Sequence, residues 1–460
     1  MKGIRSFFSH TGSIDLTVGN PIRLLIRFSI PIFLSTLLQT LHGTVDTIVI
    51  GRYLGGDAIA ATGLTQPLIF MVLGGIIGLC SGTSFITSQL VGAHDEAGVR
   101  KSIAASALIS LGGALVVSAI VIPLIPAMLR LLKCPDSLFS GSSIYLYWIF
   151  GGTLATTLFN FAFSEIRALG DSTTPLIFLA IVTVLNIFFN ILFVGTFHWG
   201  YHGVGSATLL VTLLAAVSCL LYAVVKFPEF RLRKSDWHLS WRFVWKHLYN
   251  AVPTALQFSV TAIGIIVLQS AINTLGPKAI SVISAGCRFE WLSAIPFTAI
   301  GIALATYTAQ NIGAGKLDRI HLGVDVCMKA VIAWSLFATL FMIGFSRQIA
   351  DLFFGSYAEP DHYVMLRQYF FCTCPFYVFL GMINVYRNTI QGMGLPTIPF
   401  LGGIGELLAR AGLAYWFLGL WGFIGVSLAG PMAWVSAGSL LFLYYQFKIK
   451  RSSLAELHRL

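Results

Sequence analysis

A single carboxylate interrupts the first long apolar stretch of this 460-residue chain. Asp46 lies in His42-Gly43-Thr44-Val45-Asp46-Thr47-Ile48-Val49-Ile50-Gly51, with small or apolar neighbours up to Arg52. In low-dielectric surroundings a carboxyl group can exchange a proton near working pH, or give its charge to Na⁺ or to a cationic substrate. His42 lies one helical turn earlier on the same face, and Gln39 two turns earlier. A His–Asp proton relay is one reading of His42; a neutral, hydrogen-bonded filler is the other. Asn186 and Asn190, four apart, put two amides on one helix face, where they suit a neighbouring helix or a hydrated ion. Further along, Arg288 and Glu290 are two apart and so face differently; Glu290 is a candidate second cation site. Glu406 and Arg410 have the spacing of an intrahelical ion pair, a structural clamp. Gln257 and Gln269 are candidate cavity liners.

The elements that carry these residues must be membrane spans. The composition is 56% hydrophobic and 10% charged, against roughly 25% charged in a soluble domain. Such a chain cannot cover its surface with polar groups in water, so lipid is its solvent. Apolar runs fall at 22–49, 57–91, 99–132, 139–168, 172–196 and 203–227, then at 247–275, 280–312, 317–354, 362–392, 396–418 and 423–447. The expected fold is all-α, with about twelve transmembrane helices in two pseudo-symmetric six-helix bundles, V-shaped around a central cleft. The expected organisation is an N-terminal segment 1–21, a first lobe 22–227, a polar linker 228–246, a second lobe 247–447 and a tail 448–460.

The two halves repeat. Pro31 matches Pro253, and Leu54-Gly55 matches Leu275-Gly276. Gln89 to Ala93 matches Gln310 to Ala314, Gly170 and Pro175 match Gly394 and Pro399, and Trp199-Gly200 matches Trp421-Gly422. The offset stays between 221 and 224 residues. Six spans per half is an even number, so both halves enter from the same side, a parallel repeat of the kind found in transporters.

The net charge of +11 is explained by orientation rather than by nucleic acid. Lys2, Arg5, Arg23, Arg27, Arg100, Lys101, the linker from Lys226 to Lys246, Lys316, Arg319 and the tail fall on one side; the opposite loops are poorer in Lys and Arg. Both termini are therefore expected in the cytoplasm. Prolines 31, 67, 253, 296, 375 and 431 punctuate spans and permit kinks. The seven cysteines lack metal spacing and read as small core residues, and no signal peptide is expected. There is no Walker loop, HExxH or Gly-x-Ser-x-Gly, so neither an enzyme nor a built-in ATP motor is expected. An ion gradient, or passive flow, must supply the energy.

The run from Gln39 through Gly55 and on through Ala58-Ile59-Ala60-Ala61-Thr62-Gly63 resembles the multidrug and toxic compound extrusion (MATE) family. So do Arg167-Ala168-Leu169-Gly170-Asp171-Ser172-Thr173-Thr174-Pro175, Gln310 to Gly315, and Glu406-Leu407-Leu408-Ala409-Arg410. The likeness spans roughly 15 to 447 and is greatest to the bacterial DinF-like branch, whose Arg-x-acid pattern on helix eight matches Arg288 and Glu290. It implies export of amphipathic, often cationic drugs in exchange for H⁺ or Na⁺ across a bacterial inner membrane, with no cofactor. The partners implied are drug-like small molecules and the bilayer, and the expected state is a monomer. The family's first-helix aspartate matches Asp46. Its Asn-x-x-x-Asp pair falls on Asn186 and Asn190, where the second position is an amide; this leaves Asp46 as the lobe's only acidic site group and mildly favours a proton over Na⁺. A tyrosine usual in the family near His42 is also missing. A lipid-linked precursor flippase of the same superfamily is the alternative, kept open by Arg288 and Arg410.

Overall fold

The computed structural model describes residues 13–355, 359–453 and 456. Lys2, Arg5 and the last tail residues lie outside the described residues. Fourteen α-helices follow in order among the described residues: α1 Pro21–Leu54, α2 Gly56–Gly92, α3 Glu96–Leu131, α4 Asp136–Gly151, α5 Thr153–Ala168, α6 Thr173–Asn190, α7 Gly200–Lys226, α8 Trp241–Asn273, α9 Pro277–Gly313, α10 Leu317–Gly344, α11 Ser346–Phe354, α12 Pro360–Thr373, α13 Tyr377–Gly392 and α14 Thr397–Tyr444. Ten helical segments are long and apolar enough to cross a membrane, and α4 with α5, bent by 46°, makes another span. The longest segment is itself double. Gly422 breaks α14 with φ +55°, Gly402 faces Leu441, and Ala414 and Ala429 share one core cluster with Ala271. Residues nearly equidistant from Gly422 therefore meet, so α14 is a hairpin of two spans and the described chain makes twelve.

Helices win because lipid offers no partner to a free backbone N–H or C=O. Even hydroxyls of α1 are satisfied internally: Ser35 donates to Pro31 O (2.8 Å), Thr36 to Ile32 O (3.0 Å) and Thr44 to Thr40 O (3.0 Å). Ser35 thereby adds a second bond to the Pro31 carbonyl, while the bond that the proline removes is the one to the Arg27 carbonyl a turn earlier. Side chains such as Ile120, Leu336, Phe337 and Leu340 are more than half exposed, as expected of a surface that lipid covers.

The repeat appears in the backbone. Six of the nine left-handed glycines among the described residues fall in pairs, Gly55 and Gly276 (φ +87° and +88°), Gly170 and Gly394 (+89° and +86°), Gly200 and Gly422 (+57° and +55°). Each pair ends one helix and starts the next at equivalent places. Only glycine adopts this region without a steric penalty, which is why both halves carry it there.

The described chain divides into two compact units. One contains the residues up to Asn20, Ile26–Ser259 and Ala309–Ala314; the other contains Pro21–Leu25, Val260–Thr308 and the residues from Gly315 on. In the first unit, Ile76 and Cys80 of α2, Ile103 of α3, Phe161 and Ile166 of α5, and Cys219 of α7 belong to one core cluster. Gly78 and Gly82 of α2 press on the backbone of α8 at Thr254 and Ala251, leaving no room for a Cβ; small residues at such spacing allow close helix crossing in lipid. At the ends of α2 and α9, Gly92 packs on Gln310 and Gly313 on Gln89, a reciprocal contact between equivalent positions. In the second unit Tyr307 donates to Arg319 O (2.8 Å) and the His321 ring bonds Tyr445 Oη (2.7 Å), joining α9, α10 and the end of α14.

Three expectations change. The run 317–354 is not one span: it stops at Gly344, and α11 follows as a short amphipathic helix because Arg347 and Asp351 break the apolar pattern. The spans at 139–168 and 362–392 are each broken, at Gly152 and at Cys374-Pro375-Phe376. All seven cysteines are free, but Cys134, Cys287 and Cys372 are only half-buried.

The linker is structured rather than loose. Arg231 caps the end of α7 by donating to Val224 O (3.0 Å) and Val225 O (2.9 Å), a favourable place for a cation. Asp236 lies 3.6 Å from Arg100 of α3. Glu229 is buried. Burial, with the Glu96 carboxylate nearby, pushes its carboxyl above the ordinary range, against the pull of Arg100. A carboxyl with a raised folded-state pKa binds its proton more tightly in the folded state. Its ionisation therefore opposes folding at neutral pH, and the penalty fades as pH falls through the folded pKa. Glu229→Gln is expected to raise the melting temperature of the detergent-solubilised protein at pH 7 to 8, with the gain vanishing near pH 4. A melting series across pH checks both the sign and the window.

Candidate functional site

Asp46 sits in the last third of α1, and α6 supplies its partners. Asn190 donates through Nδ2 to Asp46 Oδ1 (2.8 Å) and to Asn186 Oδ1 (2.8 Å). His42 Nε2 lies 3.5 Å from Asp46 Oδ2. The structure thus brings together four residues singled out by spacing: His42, Asp46, Asn186 and Asn190. Both asparagines are 1% exposed. Directly after Asn190 the helix widens into a π-turn, Ile191–Thr196, a feature frequent at functional sites.

Two polar atoms here have no partner among the described residues: His42 Nδ1 and Asn190 Oδ1, both buried. The amide orientation follows from chemistry. Reversing Asn190 would set its oxygen against both Asp46 Oδ1 and Asn186 Oδ1, three acceptors together. The amide therefore offers N–H to Asp46, and its oxygen is turned elsewhere. This arrangement gives Asp46 one hydrogen bond, at Oδ1, and leaves Oδ2 beside His42. Tyr145 of α4 is near enough to feel the Asp46 charge; in the sequence it is one aromatic among many and carries no mark of that role. Gln39, two turns back, is exposed, and no hydrogen bond among the described residues joins it to the cluster. Gln257 is buried. Gln269 is exposed and donates to Asn273 on its own helix (2.9 Å).

The second unit has its own polar cluster. Tyr369 of α12 donates to Glu290 Oε2 of α9 (2.8 Å) and lies 3.2 Å from Cys287 Sγ. Arg288 is exposed and so faces differently from Glu290, as the spacing predicts. Glu406 and Arg410 form an ion pair at 2.6 Å, and Arg410 also acts electrostatically on Glu290. Arg387 of α13 hydrogen-bonds Asn384 (3.2 Å) and feels the Glu406 charge. Sequence spacing does not point to Tyr369 or Arg387, because the carboxylates they meet lie on other helices. Among the described residues, no three His, Cys, Asp or Glu side chains form a metal-binding group.

Twelve apolar helices on a doubled six-helix plan, with half-buried carboxylates held by an amide and a hydroxyl, define a polytopic membrane transporter. The MatE family model matches the chain twice, over residues 31–192 and 253–416, with starts 222 residues apart, the offset of the repeat. The chain belongs to the MatE family. It is 30% identical over 436 residues to the "Probable multidrug resistance protein YpnP" of Bacillus subtilis, covering 94% of this chain and 96% of that one. It is 25% identical over 444 residues to the "Probable multidrug resistance protein YoeA" of the same organism, covering 94% of each. Its fold matches a MOP superfamily transporter from Pyrococcus furiosus with a TM-score of 0.88 at 22% identity, covering 97% of this chain and 99% of the other.

Proposed function

We propose that the protein is a secondary active exporter of amphipathic, cationic organic compounds, driven by inward flow of protons through Asp46 and working by rocking-type alternating access. The names of its relatives support multidrug substrates. The observation that carries the coupling role is the Asp46–Asn190–Asn186 chain with His42 at the second carboxylate oxygen. Ionised, Asp46 is stabilised by the Asn190 amide; protonated at Oδ2, it loses its charge while keeping that hydrogen bond. Asp46 therefore has two states in one frame, and exchange between proton and cationic substrate follows from competition for one negative charge. A Na⁺ ion would need oxygens where Asn190 presents N–H, so the amide favours the proton. The protein acts as a monomer in a bacterial cytoplasmic membrane, with both termini in the cytoplasm, in keeping with its Lys/Arg distribution.

The test is efflux of a cationic dye from proteoliposomes under an imposed pH or Na⁺ gradient. A pH gradient is expected to drive it; movement under neither gradient overturns the exporter reading. Asn190→Asp restores a second carboxylate and is expected to raise Na⁺-driven efflux relative to proton-driven efflux. An unchanged ratio would show that the amide does not set ion preference.

A further inference from the structure

Glu165 is the most completely buried carboxylate among the described residues of the first unit, and the Asp46 cluster makes no use of it. It lies near the end of α5 with 0% exposure. The Thr87 hydroxyl of α2 and the Ser106 hydroxyl of α3 are near enough to interact with it, yet both carboxylate oxygens lack a partner in hydrogen-bonding geometry among the described residues, as does Ser106 Oγ. From Thr87 the bonding continues. Thr87 Oγ1 lies 2.8 Å from Ser102 Oγ, and Ser102 Oγ lies 2.8 Å from His247 Nε2 of α8. His247, also 0% exposed, has Nδ1 at 2.9 Å from Phe243 O. The titratable and charged groups around the pair are Cys80 of α2 beside Glu165, Arg167 of α5 beside Cys80, and Lys246 beside His247.

One atom sets the direction of the chain. A carbonyl only accepts, so His247 Nδ1 carries a hydrogen, and the neutral ring accepts at Nε2. Ser102 then donates to Nε2, and Thr87 donates to Ser102. Thr87 has no hydrogen left for Glu165, so only a protonated Glu165 can complete the line, donating its O–H to Thr87. An isolated ionised carboxylate in such a site would lack compensation. The reverse state is equally well defined. If Glu165 gives its proton to Thr87, Thr87 passes its own to Ser102 and Ser102 passes its own to Nε2. Three O–H bonds break, two O–H bonds and one N–H bond form, and the result is Glu165 carboxylate with His247 imidazolium. No proton is gained or lost. The step from Glu165 to Thr87 is the only one not already hydrogen-bonded.

We propose that Glu165, Thr87, Ser102 and His247 form a proton relay, a second proton site of the first unit, which opens when Glu165 turns onto Thr87. The relay does not depend on what the protein exports, and its test reads proton binding rather than efflux. In reconstituted full-length protein, infrared spectra at neutral pH are expected to show a protonated-carboxyl band that disappears in Glu165→Gln and persists in Asp46→Asn. Nitrogen NMR of labelled histidine, assigned through His247→Gln, is expected to show His247 with its hydrogen on Nδ1. Thr87→Val is expected to slow proton uptake after a pH jump by at least about tenfold, and Thr87→Ser to restore it. Ser102→Ala should act like Thr87→Val and serves if the valine variant does not fold. A Glu165 ionised at neutral pH, a hydrogen on His247 Nε2 alone, or wild-type uptake in Thr87→Val and Ser102→Ala would each overturn the relay. Loss of dye efflux with these signatures intact would count against the exporter reading alone.

Discussion

Replacing Asp46 by asparagine is expected to reduce gradient-driven efflux to the level of empty liposomes while leaving insertion and helix content intact. The side chains are nearly isosteric, and the amide oxygen introduced by Asp46→Asn still accepts from Asn190 Nδ2. The bond that ties α1 to α6 at 2.8 Å therefore survives. What disappears is the ability to gain and lose a charge. A fixed neutral amide neither binds a proton nor attracts a cationic substrate, so both halves of the exchange fail together. Initial rates of dye movement under a pH gradient, beside circular dichroism and gel-filtration profiles, check this. Wild-type rates would remove Asp46 from the coupling role.

The second large effect concerns stability. Arg410→Met leaves Glu406 without its partner at positions where the two side chains are only 8% and 13% exposed. Removing one member of a buried pair costs about 3–5 kcal/mol, because a charge is left uncompensated, whereas removing both charges is often close to neutral. Arg410→Met is therefore expected to lower the melting temperature markedly, and Glu406→Gln combined with Arg410→Met to recover most of the loss. The comparison isolates the pair from the packing of the long side chain, since Met keeps most of the apolar stem. A single variant as stable as wild type would deny the clamp its role.

Much of this is legible in the chain itself. Asp46 is visible because apolar sequence makes a lone carboxylate conspicuous, and Asn186 with Asn190 because four-residue spacing defines one helix face. Their meeting across 144 residues does not follow from spacing. The doubled plan is readable because turns need glycine: pairs such as Gly170 and Gly394 keep the same backbone state at equivalent places. The breaks are harder. Gly152 interrupts its span without changing hydropathy, so that apolar run carries no mark of the bend, whereas Pro375 marks the other break in advance. Glu165 escapes notice because its partners Thr87, Ser102 and His247 come from three other helices, and small hydroxyl residues are so common in spans that none stands out. Tyr369 and Tyr145 are hidden for the same reason among the 15 tyrosines.

The hairpin at Gly422 has a consequence for how the protein is made. Its two arms are joined by one left-handed residue, with Gly425 packed against the Phe417 carbonyl. Almost no polypeptide remains outside the arms, so there is nothing for an inserting machinery to hold on the far side while the last span emerges. The two arms are therefore expected to enter the bilayer together, as a hairpin, rather than one after the other. For the same reason this turn is a poor place for a reporter enzyme or an epitope, and sidedness is better mapped from the basic linker after Lys226.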